Sequence, residues 1–258
     1  MIKNIILVGS GKGGVGKSTV SVNLSIALSQ IKKLKIGLLD ADIYGPSIPK
    51  MLGINEKPSI NEKKKIIPYN NHGIKSISIA NMIPKDNAII WRGVMASSAI
   101  KQLFNDVDWG EIDYLIVDLP PGTGDIQLSL CQNFSIDGAI LVSTPQEISL
   151  IDVRKAISMF KKVKVPILGL IQNMSYFEKN NEKNYLFGKD GVSKESKIQN
   201  LEMLGEIPIE ENISASCENG IPISLDEKNK ISKIFQSLSN NFLNTYSKLT
   251  KNTVKIES

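Results

Sequence analysis

The chain has 258 residues, enough to bury the core of an α/β domain, and its 41% hydrophobic and 22% charged residues are ordinary for a globular protein. Two cysteines, one histidine and the absence of any C-x-x-C pair exclude a tetrahedral zinc site built within one chain. The net charge of +5 comes from short lysine runs without interleaved aromatic residues, which favours a solvated face and no nucleic-acid partner.

The first predicted unit is a strand, a glycine-rich loop and a helix. An apolar run at Ile5–Val8 predicts a buried strand, and the residues from Val20 to Leu28 have the apolar spacing of a helix. Between them, Gly11–Thr19 reads GKGGVGKST and fits the G-x-x-x-x-G-K-[ST] pattern in the context that this pattern requires. The sequence therefore predicts a phosphate-binding loop rather than a glycine-rich turn without a ligand.

Each residue type in this loop suits the capture of a phosphate chain. Glycines let the backbone N–H groups turn inward, and the helix that starts near Gly16 adds the positive end of its dipole. Lys17 is predicted to reach the β- and γ-phosphates, and the Ser18 hydroxyl is predicted to ligate Mg²⁺. The predicted nucleotide-binding residues of the loop are Gly11, Gly13, Gly14, Val15, Gly16, Lys17, Ser18 and Thr19.

Two aspartates follow the next predicted strand, Lys35–Leu39. Asp40 and Asp42 stand where a parallel strand would end, at the edge of an α/β sheet that faces ligands. We expect Asp40 to hold metal-bound water and Asp42 to orient a nucleophilic water at the γ-phosphate. The alternative is a pair of turn-forming aspartates without a ligand.

A second diagnostic stretch is the apolar run Tyr114–Val117, which ends in Asp118. An aspartate at the end of such a strand, downstream of a phosphate loop, is typical of a Walker B element that holds Mg²⁺ through water. Gly122 is predicted to bring a backbone N–H near the γ-phosphate. Prolines before it and glycines around Thr123 favour a loop that differs between ATP and ADP states.

Two further strand–helix units complete the predicted sheet. Strands at Gly138–Ser143 and Val165–Ile171, with a helix at Ser149–Phe160 between them, imply right-handed crossovers. The predicted fold class is therefore three-layer α/β, with a mostly parallel central sheet flanked by helices. We expect a single domain over residues 1–258.

The loops after the last strands are predicted to flank the base of a nucleotide. Asn173 follows one strand, and no aspartate comes after it as in the N-K-x-D sequence of a GTPase, so adenine is favoured. Pro208, near the end of a short strand predicted at Leu204–Ile209, is also predicted to lie beside the base.

The remaining segments are predicted to be surface loops and a terminal helix. Residues 55–69 are expected to form an exposed hairpin or a mobile loop, and 178–184 an exposed loop. Helical apolar spacing predicts a helix at about 228–250 that docks on the sheet rather than anchors in a membrane. Without a signal peptide or a transmembrane run, the sequence predicts a cytoplasmic protein with no stable membrane association.

Taken together, these stretches resemble the Mrp/ApbC family of ATPases, the iron–sulfur cluster carriers of the MinD/ParA-like group. The resemblance covers nearly the whole chain and is carried by Gly11–Thr19, DADIYGPS at 40–47, IWRG at 90–93, DWG at 108–110, DLPPGTGD at 118–125, STPQE at 143–147 and NMSYF at 173–177. It implies a homodimer that hydrolyses ATP with Mg²⁺ and assembles or transfers an iron–sulfur cluster to apoproteins. It also implies that Lys12 reaches across the interface to the partner's nucleotide; the alternative is a solvated loop lysine.

The sequence departs from this family at one place. Many members carry a C-P-x-C motif shortly after the Asn-Met-Ser-Tyr-Phe stretch, whereas this chain has EKNNEKN at 178–184. A cluster usually needs four thiolates, and each chain offers only Cys131 and Cys217. The main hypothesis is an ATPase switch in iron–sulfur assembly, and the alternative is a positioning or scaffold ATPase without a cluster. A small-molecule kinase or synthetase on the same fold is a third possibility, for which no acceptor-site motif is recognised.

Overall fold

The strands form one large sheet and one small hairpin. The computed structural model describes residues 1–31, 33–82, 93–180 and 182–256. The strands are β1 (Ile2–Ser10), β2 (Ile36–Asp40), β3 (Tyr69–Asn71), β4 (Ile74–Ser78), β5 (Ile112–Asp118), β6 (Gly138–Ser143), β7 (Ile167–Gln172), β8 (Phe177–Lys179), β9 (Glu182–Asn184) and β10 (Met203–Glu206). Eight of them join in the order β10-β7-β6-β1-β5-β2-β4-β3. Among the described strands of this sheet, every pair is parallel except β3 with β4.

The register of the central strands brings their carboxyl ends to one level. Val8 of β1 and Asp40 of β2 both lie opposite Asp118 of β5. Because open α/β sheets bind ligands outside the carboxyl ends of their strands, this edge is where a site is expected. The two aspartates therefore meet at the end of the sheet that also carries the glycine-rich loop.

Helices cover both faces of the sheet and make a three-layer architecture. They are α1 (Lys17–Gln30), α2 (Ile48–Met51), α3 (Gly93–Asp106), α4 (Asp125–Asn133), α5 (Glu147–Lys162), α6 (Gly191–Gln199), α7 (Glu211–Asn219) and α8 (Lys230–Ile256). One core cluster includes Leu103 of α3 and Ile157 of α5, and the other includes Leu24 of α1 and Phe235 of α8. Successive apolar side chains of β1 alternate between the two clusters, as strand geometry requires. The predicted fold class is confirmed.

The strands and long helices that the sequence predicts are present, with shifted ends. β7 begins after Pro166, which has no N–H to give to a strand ladder. The terminal helix is α8, and its Tyr246 hydroxyl donates a 2.6 Å hydrogen bond to Oδ1 of Asn4 in β1. Within the described ranges, no helix has both the length and the apolar composition that crossing a membrane requires.

Some elements differ from the sequence predictions. The segment expected as an exposed loop at 178–184 contributes instead to the β8–β9 hairpin, in which Phe177 pairs with Asn184. Segment 55–69, by contrast, contains a small hairpin, which is one of its two predicted alternatives: Ile60 bridges Ile66, whose N–H donates to the Asp106 carbonyl. Helices α4, α6 and α7, of nine residues each, were not predicted. Residues 90–92 of the IWRG stretch lie outside the described residues.

Candidate nucleotide-binding site

The glycine-rich loop joins β1 to α1 and depends on backbone conformations that favour glycine. Gly14 and Gly16 have φ angles of 79° and 81°, in the left-handed region that other residues rarely adopt. A Cβ on Gly11 would lie 2.3 Å from the backbone carbonyl carbon of Asp152, so α5 packs directly on the loop. The loop is therefore shaped by its glycines and supported from one side by a helix.

A cavity of about 410 Å³ opens over this loop. Its lining includes the loop residues 12–14 and 16–19 together with Asp42, Tyr44 and Pro121. Most residues of the predicted phosphate loop, the predicted catalytic aspartate and the loop after β5 thus meet around one space, whereas Gly11 and Val15 are not part of its lining. Lys12 is half-buried at its wall, whereas Gly13 and Gly14 are exposed.

A buried ion pair forms the floor of the site. Lys17 Nζ lies 2.7 Å from Asp118 Oδ2, and the two side chains are 6% and 0% exposed. The Ser18 hydroxyl donates a 2.6 Å hydrogen bond to the same carboxylate oxygen. The structure therefore brings together the three residues that the phosphate-loop and Walker B patterns single out.

The other two aspartates of the site have different surroundings. Asp42 Oδ2 lies 3.4 Å from Lys17 Nζ at the cavity wall. Asp40 is fully buried, and it accepts hydrogen bonds from the Ser78 hydroxyl at 2.9 Å and the Asp42 backbone N–H at 3.1 Å. Burial, reinforced by the negative charge of Asp118, raises the pKa of Asp40 to about 8.

The loop after β5 is tied to the end of β1. The backbone N–H of Gly122, predicted to lie near the γ-phosphate, donates a 2.9 Å hydrogen bond to the Ser10 carbonyl oxygen. Gly122 has a φ of 92°, and Gln127 Nε2 donates to the Pro120 carbonyl at 2.8 Å. This loop is therefore held to the last residue of β1, directly before the phosphate loop.

Of the two residues predicted to flank the base, Asn173 lies against the phosphate loop. The Asn173 amide nitrogen donates a 2.8 Å hydrogen bond to the Val15 carbonyl oxygen, and a Cβ on Gly16 would lie 2.1 Å from it. Pro208 is buried after β10. Neither is among the described residues that line the cavity. Asn173 therefore supports the phosphate loop, and a contact of either residue with a base stays a prediction.

One residue of the site lies outside the motifs that predict it. Ser21 of α1 is buried, and its hydroxyl donates a 2.6 Å hydrogen bond to Asp118 Oδ1, the oxygen that Lys17 and Ser18 leave free. Helical spacing could have predicted it, because residues three and four positions apart on a helix share a face. Ser21 stands three residues after Ser18 and four after Lys17.

The two cysteines lie on opposite faces of the sheet. Cys131 of α4 packs against the core cluster that contains α3 and α5, and burial raises the pKa of its thiol to about 11. Cys217 of α7 lies on the α1 face, with its sulfur 3.8 Å from the Thr19 hydroxyl. Across the described ranges, no three His, Cys, Asp or Glu side chains are grouped so as to hold a metal ion.

A parallel α/β sheet with this loop, this lysine and this strand-end aspartate defines a P-loop NTPase. The family model described as "ParA: NUBPL iron-transfer P-loop NTPase" matches residues 1–243. The chain belongs to this family of iron–sulfur cluster carrier and transfer P-loop NTPases.

Named relatives agree with this assignment. The chain is 47% identical to the Arabidopsis thaliana "Iron-sulfur protein required for NADH dehydrogenase, mitochondrial", over 97% of this chain and 81% of that one. It is 45% identical to the Aquifex aeolicus "Iron-sulfur cluster carrier protein", with coverage of 92% and 66%. It is also 47% identical to the Mus musculus "Iron-sulfur cluster transfer protein NUBPL", with coverage of 86% and 70%.

Solved structures agree on the fold. A nucleotide-binding protein from Archaeoglobus fulgidus, solved in complex with ADP, is 36% identical, with a TM-score of 0.77 and coverage of 91% of this chain and 92% of that one. The cell division ATPase MinD of Pyrococcus furiosus gives a TM-score of 0.69 at 22% identity, with coverage of 93% and 98%, and shows the fold alone.

Proposed function

We propose that this protein binds and hydrolyses ATP with Mg²⁺ as a homodimeric switch in iron–sulfur cluster assembly or transfer. The observation that carries the proposal is that Lys17 Nζ and Ser18 Oγ both lie within 2.7 Å of the Asp118 carboxylate beneath the glycine loop. A lysine and inward backbone N–H groups stabilise a phosphate chain, and the absence of a guanine-reading aspartate after Asn173 favours ATP over GTP.

The oxygen atoms of the site suit Mg²⁺. Ser18 Oγ and Asp118 Oδ2 are hard donors only 2.6 Å apart, and Asp40 is the neighbouring carboxylate. Mg²⁺ is usually bound through one or two carboxylates and completes its shell with waters and substrate phosphates, which fits a site without a protein cage. When bound there, Mg²⁺ neutralises charge on the phosphate oxygens.

The hydrolysis step assigns separate roles to Lys17 and Asp42. Water attacks the γ-phosphorus, the new P–O bond forms as the bond to the β-phosphate oxygen breaks, and ADP leaves with the bonding electrons. One proton of the attacking water stays on the phosphate product, and the other is released to solvent. Lys17 stabilises negative charge on the phosphate oxygens, and Asp42, at the cavity wall, orients the attacking water.

A steady-state phosphate-release assay with ATP and with GTP tests the enzymatic proposal. We expect turnover with ATP that requires Mg²⁺ and a clear preference over GTP. No release of phosphate from ATP by the folded protein in the presence of Mg²⁺ would refute the enzymatic proposal.

Dimerisation is proposed to complete the site through Lys12. Lys12 stands at the wall of the cavity beside the exposed Gly13 and Gly14, so a second copy has access to this rim. Light scattering with ATP should give a dimer for the wild type and a monomer for Lys12→Ala. Lys155→Ala serves as a control: it removes a different lysine, on α5, and is expected to dimerise. Normal dimerisation of Lys12→Ala would remove the cross-subunit role.

The iron–sulfur cluster is cargo in this proposal, and a partner protein supplies part of its ligands. Support comes from the thiols: Cys131 and Cys217 lie on opposite faces, so one chain has no thiolate pair for a cluster. The family membership keeps the role in cluster transfer, and the apoprotein that receives a cluster is the expected partner.

Anaerobic reconstitution with iron and sulfide tests this division of labour. We expect no stoichiometric cluster on the isolated wild type, on Cys217→Ser or on the matched Cys131→Ser variant. A stoichiometric cluster on the wild type that disappears in Cys217→Ser would instead show that Cys217 ligates the cargo.

A further inference from the structure

The carboxylate of Asp118 has hydrogen-bonding partners on both of its oxygens. Oδ2 accepts from Lys17 and Ser18, and Oδ1 accepts from the Ser21 hydroxyl at 2.6 Å. An O–H donor at 2.5 to 2.7 Å from an ionised oxygen is about twice as strong as a neutral pair. Ser21 also lies 3.1 Å from the Lys17 carbonyl, but a hydroxyl has one proton, and the shorter contact is to the carboxylate.

The contact with Ser21 fixes a torsion that is otherwise soft. The terminal torsion of an aspartate is broad and roughly two-fold, so the carboxylate plane depends on what its oxygens contact. With Oδ1 held by Ser21 of α1, Oδ2 points toward Ser18 on the preceding turn of the same helix. Two hydroxyls of helix α1, those of Ser18 and Ser21, thus hold the two carboxylate oxygens from the same side.

We propose that Ser21 is a positioning residue for the magnesium site, acting through Asp118. This inference rests on the proposed nucleotide-binding function and specifies how the metal site is aligned. Hydrogen bonds to the ligands of a metal commonly change metal affinity by about 10- to 100-fold when they are removed. Ser21 itself does not contact Ser18 by any hydrogen bond among those described, so its effect passes through the carboxylate.

The chain offers a matched control for the competing structural explanation. Ser25, one turn further along α1, is equally buried, and its hydroxyl donates a 2.7 Å hydrogen bond to the Ser21 carbonyl oxygen. Its described hydrogen bond goes to the helix backbone and not to a carboxylate. If Ser21 serves only the packing of α1, Ser21→Ala and Ser25→Ala should behave alike.

Equilibrium binding of a fluorescent ATP analogue, with Mg²⁺ titrated in and with EDTA, tests the inference. Ser21→Ala should raise the Mg²⁺ concentration needed for half-maximal enhancement of binding about tenfold. Affinity in EDTA should stay at the wild-type value, and Ser25→Ala should match the wild type in both conditions. Ser21→Cys, which keeps the size of serine but donates weakly, should resemble Ser21→Ala.

Two results would overturn the inference about Ser21, and a third would refute the nucleotide-binding function on which it rests. A wild-type Mg²⁺ dependence in Ser21→Ala would show that Asp118 needs no help, and an equal shift in Ser25→Ala would assign the effect to helix packing. Thermal melting of all variants accompanies the titrations, so a folding defect is read separately from Mg²⁺ dependence. Failure of the wild type to bind nucleotide with or without Mg²⁺ would refute the proposed function itself.

Discussion

The two ends of the central sheet both carry lysine–carboxylate pairs, in opposite environments. At the carboxyl edge, Lys17 and Asp118 are 2.7 Å apart with side chains 6% and 0% exposed. At the amino edge, Lys35 and Glu111 are 3.2 Å apart with side chains 62% and 79% exposed. Burial of an ion pair costs desolvation that its attraction rarely exceeds, whereas an exposed pair costs and gains little. The buried pair therefore points to function, and the exposed pair to an ordinary solvated rim.

The pKa values at the two edges move in opposite directions for related reasons. Burial raises the pKa of Asp40 to about 8, because the charged form loses water and faces Asp118. The hydrogen bond from Lys35 lowers the pKa of Glu111, because the charged form gains a partner while staying hydrated. The carboxyl edge is thus poised to gain from a cation or a bound ligand, and the amino edge is not.

The largest effect on ATP affinity is expected from Lys17→Ala. The variant removes the cation that would meet the β- and γ-phosphates, and we expect ATP affinity to fall at least about 100-fold. Isothermal titration calorimetry measures it, with Lys35→Ala as a control that removes a lysine from the opposite edge. Affinity within threefold of the wild type would contradict the phosphate-binding role of the loop.

Asp42→Asn should separate hydrolysis from binding. The amide keeps an oxygen to accept the 3.3 Å hydrogen bond from the Gly45 N–H but loses the charge that orients water. We expect ATP turnover to fall about 100- to 1000-fold while ATP affinity changes less than about threefold. Single-turnover phosphate release beside equilibrium binding tests this, and full activity would remove Asp42 as the water-orienting residue.

Asp40→Asn should change how stability depends on pH. Between the unfolded pKa near 3.8 and the folded pKa of about 8, the native state holds a proton that the unfolded state has lost, so stability falls as pH rises. The wild type should lose about 4 kcal/mol more than Asp40→Asn between pH 5 and pH 8. Urea unfolding at both values measures this difference. Parallel pH profiles for the two proteins would mean that Asp40 titrates normally.

The sequence was sufficient for the features that depend on local pattern. The loop glycines, Lys17, Ser18 and Asp118 follow from a motif with fixed spacing, and the strands follow from apolar runs that a parallel sheet buries. The order of the strands in the sheet and the register between them could not be predicted from the sequence, because both depend on contacts between distant segments.

Hydrogen-bond partners are the least predictable part of the site. Asn173, predicted to lie beside a base, donates its amide N–H to the Val15 carbonyl. Gly122, predicted to bring its N–H near the γ-phosphate, donates that N–H to the Ser10 carbonyl. Both contacts join segments more than 100 residues apart in the chain, and no local pattern records them. Helices α4, α6 and α7 were not predicted because nine residues give too few turns for a clear apolar periodicity.

The smallest effect is expected from Lys35→Ala at the amino edge. Both side chains of the Lys35–Glu111 pair are exposed, so water replaces the lost contact and salt already screens it. The melting temperature should shift by less than about 2 °C, and ATP affinity should not change. Differential scanning fluorimetry at low and high salt measures the shift, with Lys3→Ala as a second exposed lysine on this edge. A loss of stability as large as that caused by removing a buried charge would mean that the exposed Lys35–Glu111 pair also contributes substantially to stability. The contrast between the two edges would then no longer identify the site.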